Sequence, residues 1–392
     1  MRVSQGDAAS GRSRVAATER KRGREKLTNV PKTSFAMVQT ANRVLEPQDL
    51  PIPDISEDSA LLKLEACGIC GSDYEQFEGM LRTPVPVVPG HEPLGTIAKI
   101  GDRAAARWGV DVGDRVAVET MISCRHCSHC LGGSYHLCDD RKIYSYIPTT
   151  EPPGLWGGYA QYMYLHPNSV VHRMTPDLPA EVAVMFNPLG AGFRWAVEMP
   201  ETQPGDTVVI LGPGQRGLAS VVACREVGAG TIIVTGLEAD EDKLALARLL
   251  GADHTIDVDN EDAVRRVKEI TNGRGADVVV DVSSYATQPV VDALSMVRVG
   301  GRVVLAGVKG FKPVEGLVSD LIVMKEIRLM GAIGVTSTGY KSAIRLLESG
   351  RTELGRMHTH DFDLAEAELA IRTLAREIPD DESIHSCLIP EF

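Results

Sequence analysis

Four cysteines, Cys124, Cys127, Cys130 and Cys138, follow the pattern C-x2-C-x2-C-x7-C, and this spacing restricts the local fold more tightly than any other feature of the chain. Short loops let neighbouring sulfurs converge on one tetrahedral Zn2+ without distorting the backbone. Four protein thiolates leave no open coordination position, so the spacing predicts a structural zinc lobe over about residues 120–140. Two disulfides are the alternative. They need an oxidising compartment, and no secretory signal is legible upstream. His126, His129 and His136 lie between the cysteines and offer substitute ligands, but thiolates are softer and bind zinc more tightly.

At 392 residues the chain exceeds one ordinary core, so two domains are expected. The net charge of -12 argues against a general nucleic-acid binder. No apolar run approaches the roughly 18 residues of a membrane span, and a cytoplasmic protein is expected. Residues 1–34 differ from the rest. Arg12, Arg14, Arg20, Lys21, Arg22, Arg24 and Lys26 make a basic stretch almost without large apolar side chains. Such a segment cannot offset its ordering entropy, which predicts a disordered extension. Asp7, Glu19 and Glu25 weaken a reading as a transit peptide; a basic arm touching nucleic acid is the other reading.

Residues 35–186 read as short strands broken by Gly and Pro, among them Ala60–Glu65, Gly95–Ile100 and Arg115–Glu119. That texture predicts a loop-rich β domain. Over residues 187–330 the pattern becomes α/β. Apolar strands such as Thr207–Leu211, Thr231–Thr235, Val278–Val282 and Arg302–Ala306 alternate with helical segments, as in a doubly wound parallel sheet covered on both faces. Residues 331–392 are expected to return to the first domain.

Gly212-Pro213-Gly214-Gln215-Arg216-Gly217 follows one of those strands directly and opens a helix. In that setting G-x-G-x-x-G is a Rossmann dinucleotide fingerprint. Gly212 permits the tight turn, Gly214 lets backbone approach the pyrophosphate, and Gly217 allows helix and sheet to pack closely. The next strand ends at Gly236, which carries no carboxylate for a ribose 2′-hydroxyl. Glu238 is the nearest candidate, and its acidic neighbours favour NAD. Lys243 is the nearest cation for the 2′-phosphate of NADP.

Gly68-Ile69-Cys70-Gly71-Ser72-Asp73, followed by Gly90-His91-Glu92, resembles the zinc-containing medium-chain dehydrogenases, the family of alcohol, sorbitol and threonine dehydrogenases. The four-cysteine cluster and the fingerprint stand in that family's order, and the resemblance covers essentially everything after residue 35. It implies a GroES-like catalytic domain beside a Rossmann domain. It also implies a second, catalytic zinc held by Cys70 and His91, with Glu92 beneath the metal as an accessory ligand. Ser72 matches the hydroxyl that relays the alcohol proton, and Asp73 is expected to orient the ligand loop. Substrates would be small alcohols or carbonyl compounds, and the assembly a homodimer or homotetramer.

Two positions depart from the family pattern. Where a third ligand of type Cys, Glu or Asp is usual, this chain places Asn187, a weaker donor. Five residues beyond Cys70, where many members carry His, stands Glu75, a poor base unless burial raises its pKa. The leading expectation is a zinc-dependent oxidoreductase passing hydride between NAD(P) and a secondary alcohol or polyol. A reductase of this fold with only the structural zinc, and a nucleotide-binding protein with lost catalysis, are the alternatives. Trp156, Phe193 and Trp195 are as compatible with plain core as with a substrate cleft.

Overall fold

The computed structural model describes residues 30–392, so the basic extension lies outside the described residues up to residue 29. Strand already begins at Thr33, two residues before the expected boundary, as Thr33–Ala41 pairs antiparallel with Val44–Pro51. Ser34 is fully buried, and its hydroxyl accepts from the Tyr162 amide at 3.0 Å. That tie to the domain interior has no signature in the basic composition preceding it.

The second half of the chain forms a six-stranded parallel sheet. Its spatial order is His254–Asp257, Thr231–Gly236, Thr207–Leu211, Ala276–Asp281, Val297–Leu305, Arg328–Gly331. In chain order this is 3-2-1-4-5-6, the doubly wound Rossmann arrangement. The period of two along each strand feeds two separate cores. Val208, Ile210, Val278 and Val280 face the helix Gln215–Glu226, packing on Leu218 and Val221. Val209, Leu211 and Val279 face the opposite helices through Val267, Ala293 and Leu294. Burial on both faces explains why these strands read as unbroken apolar runs.

The first half forms a seven-stranded sheet, mostly antiparallel. Its long central strand is Ala60–Ile69, flanked by Glu92–Ile100 and by the C-terminal strand His385–Ile389. The edge strand His358–Asp363 pairs parallel with His385–Ile389. The chain therefore re-enters this sheet later than the expected residue 331. Before doing so it forms the helix Ser337–Glu348, whose Tyr340, Ala343 and Leu347 pack in the same core as Leu189 and Leu218. An amphipathic helix goes where its apolar stripe is covered, and here that is the nucleotide domain.

Candidate active site and metal centres

The central strand Ala60–Ile69 delivers Cys70 at its end, where the helix Gly71–Phe77 starts. The neighbouring strand begins at Glu92, which brings His91 alongside. Cys70 Sγ lies 3.2 Å from His91 Nε2 and 2.8 Å from Ser72 Oγ, which is itself 3.3 Å from His91 Nε2. Asp73 Oδ2 accepts from the Cys70 amide at 2.9 Å. Its other oxygen is 3.3 Å from His91 Nδ1, a charge contact off hydrogen-bond alignment. Asp73 thus touches both the loop carrying the thiol and the imidazole.

Cys70, His91 and Glu92 are all buried, with one ligand atom from each mutually within 4.8 Å. Around zinc, with bonds of about 2.0–2.3 Å, a sulfur and a nitrogen stand about 3.6 Å apart, close to what is found here. Glu92 Oε2 has no hydrogen-bond partner among the described residues, although it is fully enclosed. A buried carboxylate oxygen left so is a strong acceptor awaiting a cation. These three donors fit a divalent metal.

Asn187 lines the same cavity as Cys70 and His91, with its amide engaged by neighbours. Its Oδ1 lies 3.4 Å from both Arg216 Nη atoms, and its Nδ2 donates to Thr120 Oγ1 and to Tyr340 OH, each at 3.2 Å. An amide whose oxygen and nitrogen are both engaged has little left to offer a metal, which leaves Glu92 as the better candidate for a third donor. Arg216 itself was missed in the sequence, where it is merely a variable position of the fingerprint. It reaches from the first turn of the nucleotide helix to Glu92 Oε1 at 2.9 Å and lies 5.2 Å over the Trp195 ring. Next to it, Gln215 Nε2 donates to Ile69 O at 3.0 Å. Trp195 therefore belongs to the site wall, while Trp156 and Phe193 pack in the cores.

The fingerprint turn has the expected geometry. Gly212 adopts φ +105°, and a Cβ on Gly217 would sit 1.9 Å from Gly212 O. A Cβ on Gly214 would meet only open space, on the side where a pyrophosphate would approach the helix start. Gly236 has a packing reason of its own, since a Cβ there would come within 2.9 Å of Pro213. Lys243 is already committed, forming ion pairs with Glu382 and, at 3.7 Å, with Asp240. Glu238 is exposed beside it.

Glu75 is buried and accepts from Tyr285 OH at 3.0 Å. Burial pushes its carboxyl above the ordinary value, and the Tyr285 hydrogen bond pulls partly the other way. One cavity of about 440 Å3 joins these parts. Cys70, Ser72, Glu75 and His91 line one side, and Gly214 and Arg216 the other.

In the cysteine lobe, Cys124 Sγ is 3.9 Å from Cys130 Sγ, and Cys127 Sγ is 3.9 Å from Cys138 Sγ. Sulfurs around one zinc stand about 3.8 Å apart, and all four donors lie within 4.8 Å of one another. The Cys124 amide donates to Cys138 Sγ at 3.2 Å and the Cys127 amide to Cys124 Sγ at 3.3 Å. Backbone donors from Asp139 and Cys130 lower the Cys127 thiol to about 6. The interleaved histidines are occupied elsewhere: His126 Nδ1 with Cys124 O, His136 Nε2 with Arg194, His129 with Asp139. Cys127→Ala is expected to remove one zinc ion per chain and to make residues 120–140 susceptible to limited proteolysis, with metal analysis and peptide mapping as the readouts.

Comparison with known proteins agrees with this geometry. Residues 56–177 match the alcohol dehydrogenase GroES-like domain, and residues 217–349 match the zinc-binding dehydrogenase domain. A "probable alcohol dehydrogenase" of Mycobacterium tuberculosis H37Rv is 47% identical over 91% of this chain and 98% of its own. The sorbitol dehydrogenase of Bacillus subtilis is 33% identical over 87% of this chain and 94% of its own. The crystal structure of an alcohol dehydrogenase from Thermotoga maritima superposes with a TM-score of 0.82 at 27% identity, covering 92% of this chain and 100% of that one. With both domain signatures in order, and relatives matched over nearly their full length, the chain belongs to the zinc-containing medium-chain dehydrogenase family.

Proposed function

We propose that the protein moves a hydride between NAD and a secondary alcohol or polyol and its carbonyl counterpart. The single observation carrying this reading is the cavity that Gly214 and Arg216 of the fingerprint turn share with Cys70 and His91, next to the buried Glu92. Cys70, His91 and Glu92 would hold Zn2+, which would supply a Lewis acid for the substrate oxygen, and a bound nicotinamide would supply or accept the hydride. The polyol assignment draws on the relatives, which include the sorbitol dehydrogenase of Bacillus subtilis and an erythritol/L-threitol dehydrogenase of Mycolicibacterium smegmatis, 31% identical over 92% of this chain and 99% of its own.

Ser72 Oγ, beside the thiol and imidazole, takes the alcohol proton, and Glu75 farther along the cavity wall is its eventual acceptor. A raised carboxyl suits Glu75 to that task. Activity in the oxidation direction then needs Glu75 ionised, so kcat/KM rises with pH through its raised pKa. Tyr285→Phe removes the hydrogen bond that holds this pKa down. Its acid limb is expected to move to higher pH, and Glu75→Gln to lose that limb with about a 10–100-fold lower rate. An unmoved limb in both variants removes Glu75 from the relay.

The ribose-reading end favours NAD. The exposed Glu238 repels a 2′-phosphate, and Lys243 is neutralised by Glu382 and Asp240. NADP is expected to be the weaker cofactor by at least about 10-fold in kcat/KM, a difference near 1.4 kcal/mol. Equal or better use of NADP would overturn this assignment. A homodimer or homotetramer is supported by the sheet edge Arg328–Gly331, where Val318, Val323, Met324 and Leu329 are exposed together with Phe311. Exposed apolar residues along an open edge mark an association surface, and sedimentation velocity decides the state. Eight unpaired cysteines suit a reducing cytoplasm, and no helix among the described residues is long and apolar enough to cross a membrane.

The decisive test is metal analysis together with NAD reduction over a polyol panel. One zinc ion fewer in Cys70→Ala than in the unaltered protein, and turnover of at least one secondary alcohol by the latter, are expected. The Arg216–Glu92 pair gives a second reading some support, because a guanidinium can neutralise Glu92 without metal. Equal zinc content in Cys70→Ala and the unaltered protein, with retained carbonyl reduction, would establish that reading instead.

A further inference from the structure

Away from the cleft, His358, Asp361 and Cys387 bring one nitrogen, one oxygen and one sulfur together within 4.8 Å. His358 and Asp361 lie on the edge strand of the catalytic sheet, and Cys387 on its neighbour. In a regular strand, residues three apart face opposite sides. Here the pairing steps from His358↔His385 to His360↔Ser386, so one extra residue bulges out between them. The bulge turns His358 and Asp361 to one side, and Asp361 is the direct register partner of Cys387. His358 Nε2 is 3.1 Å from Asp361 Oδ1, and Cys387 Sγ is 3.3 Å from the same oxygen.

We propose that these three residues form a further divalent-metal site that takes Zn2+, in addition to the two sites already described. Ligand atoms of zinc stand about 3.3–3.6 Å apart for nitrogen–oxygen and sulfur–oxygen edges, and both measured edges are within a few tenths of an ångström of that. The mixed nitrogen, oxygen and sulfur set selects a borderline cation over Mg2+ or Ca2+. Cys387 is fully buried, the His358 side chain is 13% exposed and that of Asp361 is 55% exposed. The site thus has a closed floor and an open mouth where water completes the coordination.

The imidazole also has an orienting partner. His358 Nδ1 faces His385 Nδ1 at 3.1 Å, so one nitrogen must donate and the other accept. When His358 Nε2 gives its lone pair to the ion, His358 Nδ1 is the donor and the buried His385 the acceptor. A metal-binding histidine fixed through its other nitrogen is the usual arrangement. The ion would tie the edge strand to the strand beside Ala60–Ile69, which ends at Cys70.

The experiment uses the full chain, dialysed against Zn2+ and desalted, with metal counted by mass spectrometry. Asp361→Ala and His358→Ala are each expected to hold one ion fewer than the unaltered protein. After Co2+ exchange, Cys387→Ser is expected to lose one thiolate's share of the sulfur-to-cobalt absorption. Equal metal content in the unaltered protein and the half-exposed Asp361→Ala variant overturns the proposal. Should the variants fail to fold, crystals of the unaltered protein grown with Zn2+ decide it at the zinc absorption edge. A peak between His358 Nε2, Asp361 Oδ1 and Cys387 Sγ sustains the site, and its absence removes it.

Discussion

Cys70→Ala is expected to lower kcat/KM by at least about 1,000-fold while leaving the fold and the four-cysteine zinc intact. The reasoning starts from position. Cys70 is the only sulfur of the Cys70–His91–Glu92 set, and removing it leaves one nitrogen and one carboxylate, too few donors to keep zinc in competition with water. Loss of a Lewis acid forfeits several kcal/mol of charge stabilisation, and about 4 kcal/mol corresponds to a factor of 1,000. Cys70 is 2% exposed, but alanine fills most of its volume, so stability should fall by no more than about 1–2 kcal/mol. Metal content, circular dichroism and steady-state rates on one preparation separate these effects. Undiminished turnover in a folded Cys70→Ala protein would exclude metal-assisted chemistry at this cavity.

Arg216→Met is expected to act in opposite directions on stability and on metal affinity. Glu92 has no exposed surface, and among the described residues Arg216 is its one cationic partner at hydrogen-bond distance. Breaking a buried pair from one side leaves an uncompensated charge, at a cost of about 3–5 kcal/mol. Zinc on Cys70 and His91 gives Glu92 a replacement cation. The zinc-free variant should therefore lose much more stability than the zinc-loaded one. By linkage the same difference appears as tighter metal binding, at least about 10-fold, or 1.4 kcal/mol. Denaturation with and without zinc, plus competition against a chelator, reads both quantities. Equal destabilisation in the two states with an unchanged dissociation constant would show that Arg216 is only packing against Trp195.

The contrast between Cys124–Cys138 and Arg216 shows what a sequence can disclose. The cysteine lobe and the glycine turn are local: their partners lie within a few residues, so spacing alone constrains geometry. The parallel sheet was legible for a similar reason, because strands buried on both faces keep no polar alternation. Arg216 was not legible, since its direction depends on how the nucleotide helix meets the end of the strand Ala60–Ile69 across the cleft. Asn187 was read as a weak metal donor because position along the chain cannot reveal that Thr120, Tyr340 and Arg216 occupy its amide. Lys243 is an available cation by sequence alone, whereas the fold sets Glu382, distant in sequence, beside it. The juxtaposition of His358, Asp361 and Cys387 hinges on a single bulged residue, and nothing in the strand's composition announces it.

The strand His385–Ile389 pairs directly with Ala60–Ile69, the strand that ends at Cys70. On the ribosome, that central strand emerges some three hundred residues before this neighbour, so the Cys67–Ile69 end of one edge stays unsatisfied through most of translation, while Tyr162–Leu165 covers its Ala60–Lys63 end. The nucleotide domain, continuous in sequence between the two, can fold first and carry the C-terminal segment toward the waiting edge. A message truncated shortly after residue 350 would release a chain with an intact dinucleotide fold and a permanently open β-edge, an aggregation-prone product that quality control would have to remove.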